Sequence, residues 1–253
     1  GARAAYQVGV LQAIKEMLPD PRVNPFPIIA GTSAGGVNAG ALACRADDFG
    51  QAVDNLLDVW RQFEPRHVYR ADFAGVAANS SRWLFGLFFG AFLRDRRISL
   101  LDNRPLAALL ARKLEFDRIA DNIAKGALDA VAITCSGYTS GQSVSFFEGA
   151  PALAGWKRSQ RVGVRSRIRV EHLMASAAIP FLFPAYHVNR EFFGDGSMRQ
   201  IAPVSPALHL GADRVVVVGT ARIRNEDPER TRGDTYPTLA QVAGHVMNSI
   251  FLD

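Results

Sequence analysis

The sequence predicts an α/β domain with a mostly parallel central sheet. Segments with apolar residues at helical spacing alternate with short, β-branched apolar runs along most of the 253 residues. This alternation is typical of helices that pack on a parallel sheet. The composition, 48% hydrophobic and 21% charged, is that of a globular protein with a sizeable core. No internal repeat, low-complexity tract or linker is visible, so we predict a single domain over residues 1–253.

Each element is predicted from the spacing of its apolar residues. Pro25 and Pro27 interrupt the chain before the first strand, and a Thr139-Ser140-Gly141 turn joins the second strand to the third as a hairpin. The predicted helices are residues 4–17, 37–45, 49–63, 105–113 and 237–252. The predicted strands are residues 26–30, 130–135, 142–147 and 214–219.

The two cysteines exclude two classes of protein. Cys44 and Cys135 each stand alone in an apolar segment, so the chain has neither a disulfide framework nor the Cys-x-x-Cys spacing of a metal site. We therefore expect no metal and no cofactor. Isolated thiols suit a reducing compartment, and we expect a cytoplasmic protein that also contacts a membrane peripherally. No apolar run reaches the ~18 residues that a spanning helix needs.

Ser33 is the most informative residue, because it lies in a Gly-x-Ser-x-Gly run between an apolar strand and a helix of small residues. This layout predicts a nucleophile elbow, in which Gly31 and Gly35 flank a sharp turn where a Cβ would clash. The turn exposes the serine Oγ, and the first N–H groups of the helix point to the same place. The alternative is a glycine-rich loop that only packs the helix against the strand.

A hydrolytic serine needs a base, and the usual partner is a histidine. The order Ser33, Asp213, His245 exists, but His245 lies in a helix-like segment that favours a solvated or core role. Asp195 is the better acid, because it follows an aromatic strand and is held in a tight turn before Gly196. The alternative for Asp195 is an ordinary Asp-Gly hairpin turn.

Four motifs, in this order, resemble those of the patatin-like phospholipase family. They are the glycine-to-arginine run that opens residues 1–11, the Gly-x-Ser-x-Gly run around Ser33, the small-residue block at residues 175–180, and Asp195 followed by Gly196. The resemblance covers essentially the whole chain. It implies a three-layer α/β/α fold and a Ser33–Asp195 dyad that works without histidine.

The chain departs from the family pattern at two points. Ala4 stands where the family usually has glycine, and the glycines expected before Gly1 are absent. We therefore expect the oxyanion loop to be truncated at the N-terminus, with part of it outside this sequence.

The resemblance implies that Asp195 takes the Ser33 hydroxyl proton while Oγ attacks a fatty acyl ester. Burial of the carboxyl in an apolar pocket would raise its pKa and make the transfer feasible. The expected substrates are phospholipids or lysophospholipids. The alternatives are a neutral-lipid or general carboxylesterase, and a catalytically weak, membrane-associated regulatory protein. The candidate oxyanion-hole residues are Gly1, Ala2, Arg3 and Ala34.

The net charge of +5 is unevenly distributed. Residues 61–97 carry a net +4, residues 156–170 a net +6, and the remainder a net −5. Clustered cations of this kind favour an anionic membrane surface as a partner. Nucleic acid is not expected, because no recognition motif accompanies the basic stretches. The pattern carries no indication of the oligomeric state.

Residues 83–93 form an apolar run bounded by Arg82 and Arg94. The run is too short to span a bilayer and is rich in the aromatic residues that lie at headgroup level. We predict that it docks on a membrane or covers the site as a lid, and the alternative is a buried core helix. Its candidate contact residues are Trp83, Phe85, Phe88, Phe89 and Phe92.

Overall fold

The structure, a computed structural model, describes residues 4–62, 64, 67–69, 99, 101–199 and 203–219. No helix in these ranges is both long and apolar enough to cross a bilayer. The helices described are α1 (Ala4–Met17), α2 (Ala34–Cys44), α3 (Phe49–Arg61), α4 (Arg104–Lys113), α5 (Asp117–Ala124), α6 (Val170–Ser176) and α7 (Ser205–His209). The strands described are β1 (Ile28–Thr32), β2 (Ala130–Gly137), β3 (Ser143–Gly149), β4 (Trp156–Arg158), β5 (Arg161–Arg165), β6 (Tyr186–Val188) and β7 (Glu191–Asp195), and a 3-10 helix follows at Gly196–Arg199.

The described strands form one mixed sheet around β2. The order is β4-β5-β3-β2-β7-β6, and β1 also pairs with β2. The pairs β1–β2 and β3–β5 are parallel, whereas β2–β3, β2–β7, β4–β5 and β6–β7 are antiparallel. The prediction of a mostly parallel sheet is therefore wrong. Short hairpins contribute β4 to β7, and their three to five residues are too few to show a clear apolar pattern.

The two faces of the sheet contact different cores, because successive side chains of a strand point to opposite faces. On one face, Ile133 and Cys135 of β2 pack in the main core with apolar residues of α1 to α6. On the other face, Ala130 and Ala132 pack in a smaller cluster that includes Leu210, just after α7. The described helices thus lie mainly on one face, and the architecture is α/β.

Most predicted elements are present with shifted ends. Residues 4–17 match α1, and the strand predicted at residues 26–30 is β1, two residues further along the chain. The helix predicted at residues 37–45 begins earlier, at Ala34, directly after Ser33. The helix predicted at residues 237–252 lies outside the described residues.

The strand predicted at residues 214–219 is wrong. These residues are not part of the sheet, and the side chains of Val216 and Val217 are 65% and 62% exposed. A β-branched run forms a strand only where a neighbouring strand satisfies its backbone hydrogen bonds. Here the carbonyl oxygen of Val218 instead accepts from a side chain, the Nε2 of Gln7 in α1.

Two strands meet end to end along the same side of β2, and this junction positions the site. β1 runs parallel to β2, and its last residue, Thr32, pairs with Thr134. β7 runs antiparallel, and its last residue, Asp195, pairs with the next position, Cys135. The chain therefore leaves β1 and β7 at one point, and Ser33 lies beside Asp195.

Candidate active site

Ser33 lies at a sharp turn between β1 and α2. Its backbone has φ 55° and ψ −130°, in the left-handed half of conformational space that costs a non-glycine residue ~1–3 kcal/mol. A Cβ on Gly31 would overlap the carbonyl oxygen of Gly35, so only glycine fits where β1 approaches the first turn of α2 this closely. A Cβ on Gly35 would meet only the end of the Gln7 side chain, 3.3 Å away, so this second glycine is less strictly required.

A buried serine from α6 supports the strained turn. The Ser33 N–H donates to the Oγ of Ser176 at 2.9 Å, and that hydroxyl donates to the carbonyl oxygen of Thr134 at 2.6 Å. Ser176 is fully buried, so both bonds are shielded from water. The turn is thereby tied to β2 through one side chain.

Asp195 ends β7, and the following 3-10 helix turns the chain away. The predicted alternative of an Asp-Gly hairpin turn is therefore wrong. The Asp195 N–H donates to the carbonyl oxygen of Ala178 at 2.9 Å. A Cβ on Gly196 would overlap the carbonyl oxygen of Thr134, so the turn after the carboxyl requires glycine.

The two side chains are in direct contact. The Ser33 Oγ donates to Asp195 Oδ2 at 2.7 Å. The other carboxyl oxygen, Oδ1, accepts from the Ser197 N–H at 2.9 Å and from the Ser197 hydroxyl at 2.7 Å. The orientation of the carboxyl is thus held on one oxygen, while the other faces the serine hydroxyl.

Burial raises the pKa of Asp195 above that of an ordinary aspartate, since the carboxyl is only 1% exposed and its charged form is poorly solvated. The hydrogen bonds from Ser197 and Ser33 act in the opposite direction and lower the pKa. A carboxyl with a raised pKa is a stronger proton acceptor than a solvated aspartate.

The start of α2 contributes backbone donors next to the serine. The first helical hydrogen bonds run from Gly36 and Val37 to the carbonyl oxygen of Ser33. The N–H groups of Ala34 and Gly35 precede these bonds and lie at the positive end of the helix dipole. Of the four predicted oxyanion-hole residues, Ala34 is therefore beside Ser33, and Gly1, Ala2 and Arg3 lie outside the described residues.

Several other predicted residues cannot be placed relative to this pair. The segment with Trp83, Phe85, Phe88, Phe89 and Phe92 lies outside the described residues, as does His245. The buried His172 has its Nδ1 bonded to the Arg169 N–H at 3.1 Å, and its Nε2 lies 3.3 Å from the Ser166 hydroxyl. Its ring is thus engaged at the start of α6, not at Ser33.

The two cysteines are poor nucleophiles. Burial raises the pKa of Cys44 to about 12, and burial also raises the pKa of Cys135. The Cys135 thiol donates to the carbonyl oxygen of His172 at 3.6 Å. Both thiols are therefore protonated at neutral pH. This holds for Cys135 even though its backbone pairs with that of Asp195 in the sheet.

Two residues that contact the pair were not identified from the sequence. Ser176 lies within the small-residue block at residues 175–180, which we noted only as a resemblance. Ser197 follows Asp195-Gly196 directly, so its hydroxyl was within reach of the carboxyl on spacing alone. A search for hydroxyl residues next to the two motifs would have found Ser197 but not Ser176.

A family model described as patatin-like phospholipase matches residues 1–208. No curated protein matches the chain. The matched residues include Ser33, Asp195 and, within the part of the chain that the structure describes, the residues that bond them.

Proposed function

The chain belongs to the patatin-like phospholipase family, and on this premise we propose that it is a serine hydrolase that cleaves fatty acyl esters of membrane lipids, of the phospholipase A or lysophospholipase type. Family membership supports lipid acyl hydrolysis in general. The proposal adds the residues that carry out the reaction. The observation that carries it is the 2.7 Å hydrogen bond from Ser33 Oγ to Asp195 Oδ2.

We assign Ser33 as the nucleophile and Asp195 as its base. As Oγ attacks the ester carbonyl carbon, its proton passes to Oδ2, and the carbonyl oxygen becomes an oxyanion. Collapse of this intermediate breaks the bond to the alcohol, which leaves with the proton from Asp195. Water then attacks the acyl-enzyme and gives a proton to the same carboxyl. When the fatty acid leaves, that proton returns to Ser33.

The strained backbone of Ser33 supports the interpretation of this turn as a nucleophile elbow. A serine with φ 55° is retained at a cost in stability, and such strain is concentrated at functional sites. The Ser33 N–H is bonded to Ser176 and is not available to the oxyanion. We therefore assign the Ala34 N–H as one oxyanion donor, where a donor contributes ~3 kcal/mol to transition-state stabilisation.

A fluorophosphonate probe tests the nucleophile. Because the Ser33 hydroxyl donates to the buried Asp195 carboxyl and lies directly before the first turn of α2, the probe should label wild type once. Ser33→Ala should remain unlabelled, and the control Ser140→Ala, at an exposed turn, should be labelled like wild type. The labelled serine is identified by peptide mass spectrometry. Labelling of Ser33→Ala at another serine would contradict the assignment.

The lipid class is tested by product analysis. Wild type and Ser33→Ala are incubated with a panel of phospholipids, lysophospholipids and triacylglycerols, and the released fatty acids are measured by mass spectrometry. The proposal expects release from the first two classes by wild type alone. Release from triacylglycerols in preference to both would favour a neutral-lipid esterase.

A further inference from the structure

Three turns of the sheet lie at the same end as Ser33 and Asp195. At the carboxyl end of β2, Ser136 pairs with Ser143 at the start of β3, and Ser143 pairs with Arg161 at the start of β5. The β4–β5 turn is therefore at this end. The β6–β7 turn also lies here, since β7 pairs Phe193 with Gly137 and extends beyond β2. We call this end, with the turns at residues 138–142, 159–160 and 189–190, the catalytic edge.

The catalytic edge carries exposed cations. Arg158 precedes the turn at residues 159–160, and Arg190 lies in the turn at residues 189–190. Arg199 follows Asp195 by four residues, with its guanidinium beside Gly141. All three arginines are exposed, and none of them forms an ion pair within the described residues. The acid at these turns, Glu191, accepts from the backbone N–H groups of the β2–β3 turn at 2.7 and 2.6 Å. The edge is therefore positively charged.

Two aromatic side chains are exposed at the same edge. Tyr138 is 47% exposed and Phe192 is 45% exposed, and the Tyr138 N–H donates to the Phe192 carbonyl oxygen at 3.0 Å. Aromatic residues next to arginines are typical of surfaces that lie at the headgroup level of a bilayer. The aromatic residues are thus held together at the catalytic edge.

Two arginines at the opposite end of the sheet have acidic partners. The carboxyl end of α2 lies there, and Arg118 bonds the Cys44 carbonyl oxygen and pairs with Asp47 at 2.7 Å. Arg45 pairs with Glu115 at 3.3 Å. At these two positions an acidic side chain neutralises the arginine, in contrast to Arg158, Arg190 and Arg199 of the catalytic edge.

We propose that the catalytic edge docks on an anionic phospholipid bilayer. The charge of the edge is complementary to an anionic headgroup layer, and the exposed aromatic residues fit the boundary between headgroups and acyl chains. Docking by this edge would present the Ser33–Asp195 pair to the lipid. The proposal rests on the proposed function, since it identifies the surface from which the lipid substrate is drawn.

Vesicle flotation tests the docking surface. Wild type is mixed with phosphatidylcholine vesicles with and without phosphatidylglycerol, at low and high salt. The test variant is Arg158→Glu/Arg190→Glu, and the matched control is Lys113→Glu/Lys125→Glu, which changes the net charge equally at exposed positions away from the edge. Hydrolysis of a soluble short-chain ester is measured in parallel for all three proteins.

We expect wild type and the control to bind the anionic vesicles and to lose binding at high salt. The test variant should bind at least ~30-fold more weakly, because each basic residue near an anionic surface contributes about fivefold. Its hydrolysis of the soluble ester should equal that of wild type. Equal loss in the control, equal binding to neutral vesicles, or retained binding by the test variant would overturn the docking proposal.

The parallel assay separates this proposal from the proposed function. Ester hydrolysis by wild type without binding to anionic vesicles would overturn the docking surface alone. Binding that depends on Arg158 and Arg190, without hydrolysis of any ester, would overturn the proposed function and support the docking surface.

Discussion

Burial raises the pKa of two carboxyl groups in the sheet, Asp195 at the end of β7 and Glu148 near the end of β3. The groups bonded to them differ. Asp195 accepts a serine hydroxyl, whereas Oε2 of Glu148 accepts the backbone N–H of Ile168 at 2.7 Å. Glu148 is also less buried, and the charges of Arg167 and Arg169 lower its pKa.

This comparison shows that a raised pKa does not by itself indicate a catalytic base. A hydroxyl can transfer its proton to the carboxyl and become a nucleophile, whereas a backbone N–H at Ile168 has no such chemistry. The two donor residues also differ in backbone strain. Ser33 is held at positive φ, whereas Ile168 is not among the residues with positive φ. Of these two donors, only the serine that faces Asp195 is strained.

The largest difference is expected when each carboxyl becomes an amide. Asp195→Asn keeps the shape of the side chain but cannot accept the Ser33 proton, so hydrolysis of a soluble ester should fall by at least ~10². Glu148→Gln should keep its activity within a few-fold, because Ile168 can still donate to the amide oxygen. Rates are compared at neutral pH, with thermal melts to verify folding. Comparable losses in the two variants would contradict the distinction.

The backbone strain at Ser33 should lower the free energy of unfolding by a measurable amount. Ser33→Ala and Ser33→Gly both lose the hydroxyl, but only glycine relieves the strain at φ 55°, which costs ~1–3 kcal/mol. The greater entropy of glycine in the unfolded chain offsets ~0.5–1 kcal/mol of the stability gained when the strain is relieved. We therefore expect Ser33→Gly to be more stable than Ser33→Ala by about 1 kcal/mol, or ~2–4 °C in Tm.

A control pair at the first residue of α7 gives the opposite sign. Ser205→Gly should be less stable than Ser205→Ala, since helical backbone favours alanine by about 1 kcal/mol. If Ser33→Gly were also less stable than Ser33→Ala, the strain at the turn would be refuted.

The positions of Ser33 and Asp195 at two sharp turns could be predicted from the sequence because local sterics determine both turns. Gly31 and Gly196 stand where a Cβ would overlap a carbonyl oxygen, so short motifs identify Ser33 and Asp195 without knowledge of the fold. Ser176 could not be identified in this way, because its role depends on a contact with a residue far away in the chain. A buried serine among alanines has the same pattern as simple helix packing.

The sheet was predicted less well, for a related reason. A long buried strand such as β2 has a strong apolar pattern, and its position was predicted within two residues. The strands β4 and β6 have three residues each, and β4 is mostly exposed. Their formation depends on pairing with β5 and β7, which is a tertiary property. The same dependence explains why the β-branched residues 214–219 are not a strand.

The smallest expected effect concerns the pH dependence of hydrolysis. Under the proposed function Asp195 acts as a base only when ionised, so kcat/KM should rise as the pH rises through its pKa, which burial raises. The hydroxyl of Ser197 lowers that pKa by donating to Oδ1. Ser197→Ala removes this donor and retains the N–H bond, so the acidic limb of the profile should move to higher pH. The two proteins should differ most at low pH, where less of the variant is ionised.

Two controls separate this effect from general perturbation of the site. Ser140→Ala loses a hydroxyl at an exposed turn, and Glu148→Gln loses a carboxyl with a raised pKa, so both should keep the acidic limb of wild type. An acidic limb of Ser197→Ala that stays in place, or moves to lower pH, would show that the hydroxyl does not act on the charge of Asp195.

The contribution of Asp195 to the free energy of unfolding has the opposite dependence on pH. A raised pKa means that the folded state favours the protonated carboxyl, so this contribution is present at low pH and is lost as the pH rises through the folded pKa. Asp195→Asn should therefore lose less stability than wild type between acidic and neutral pH in urea titrations.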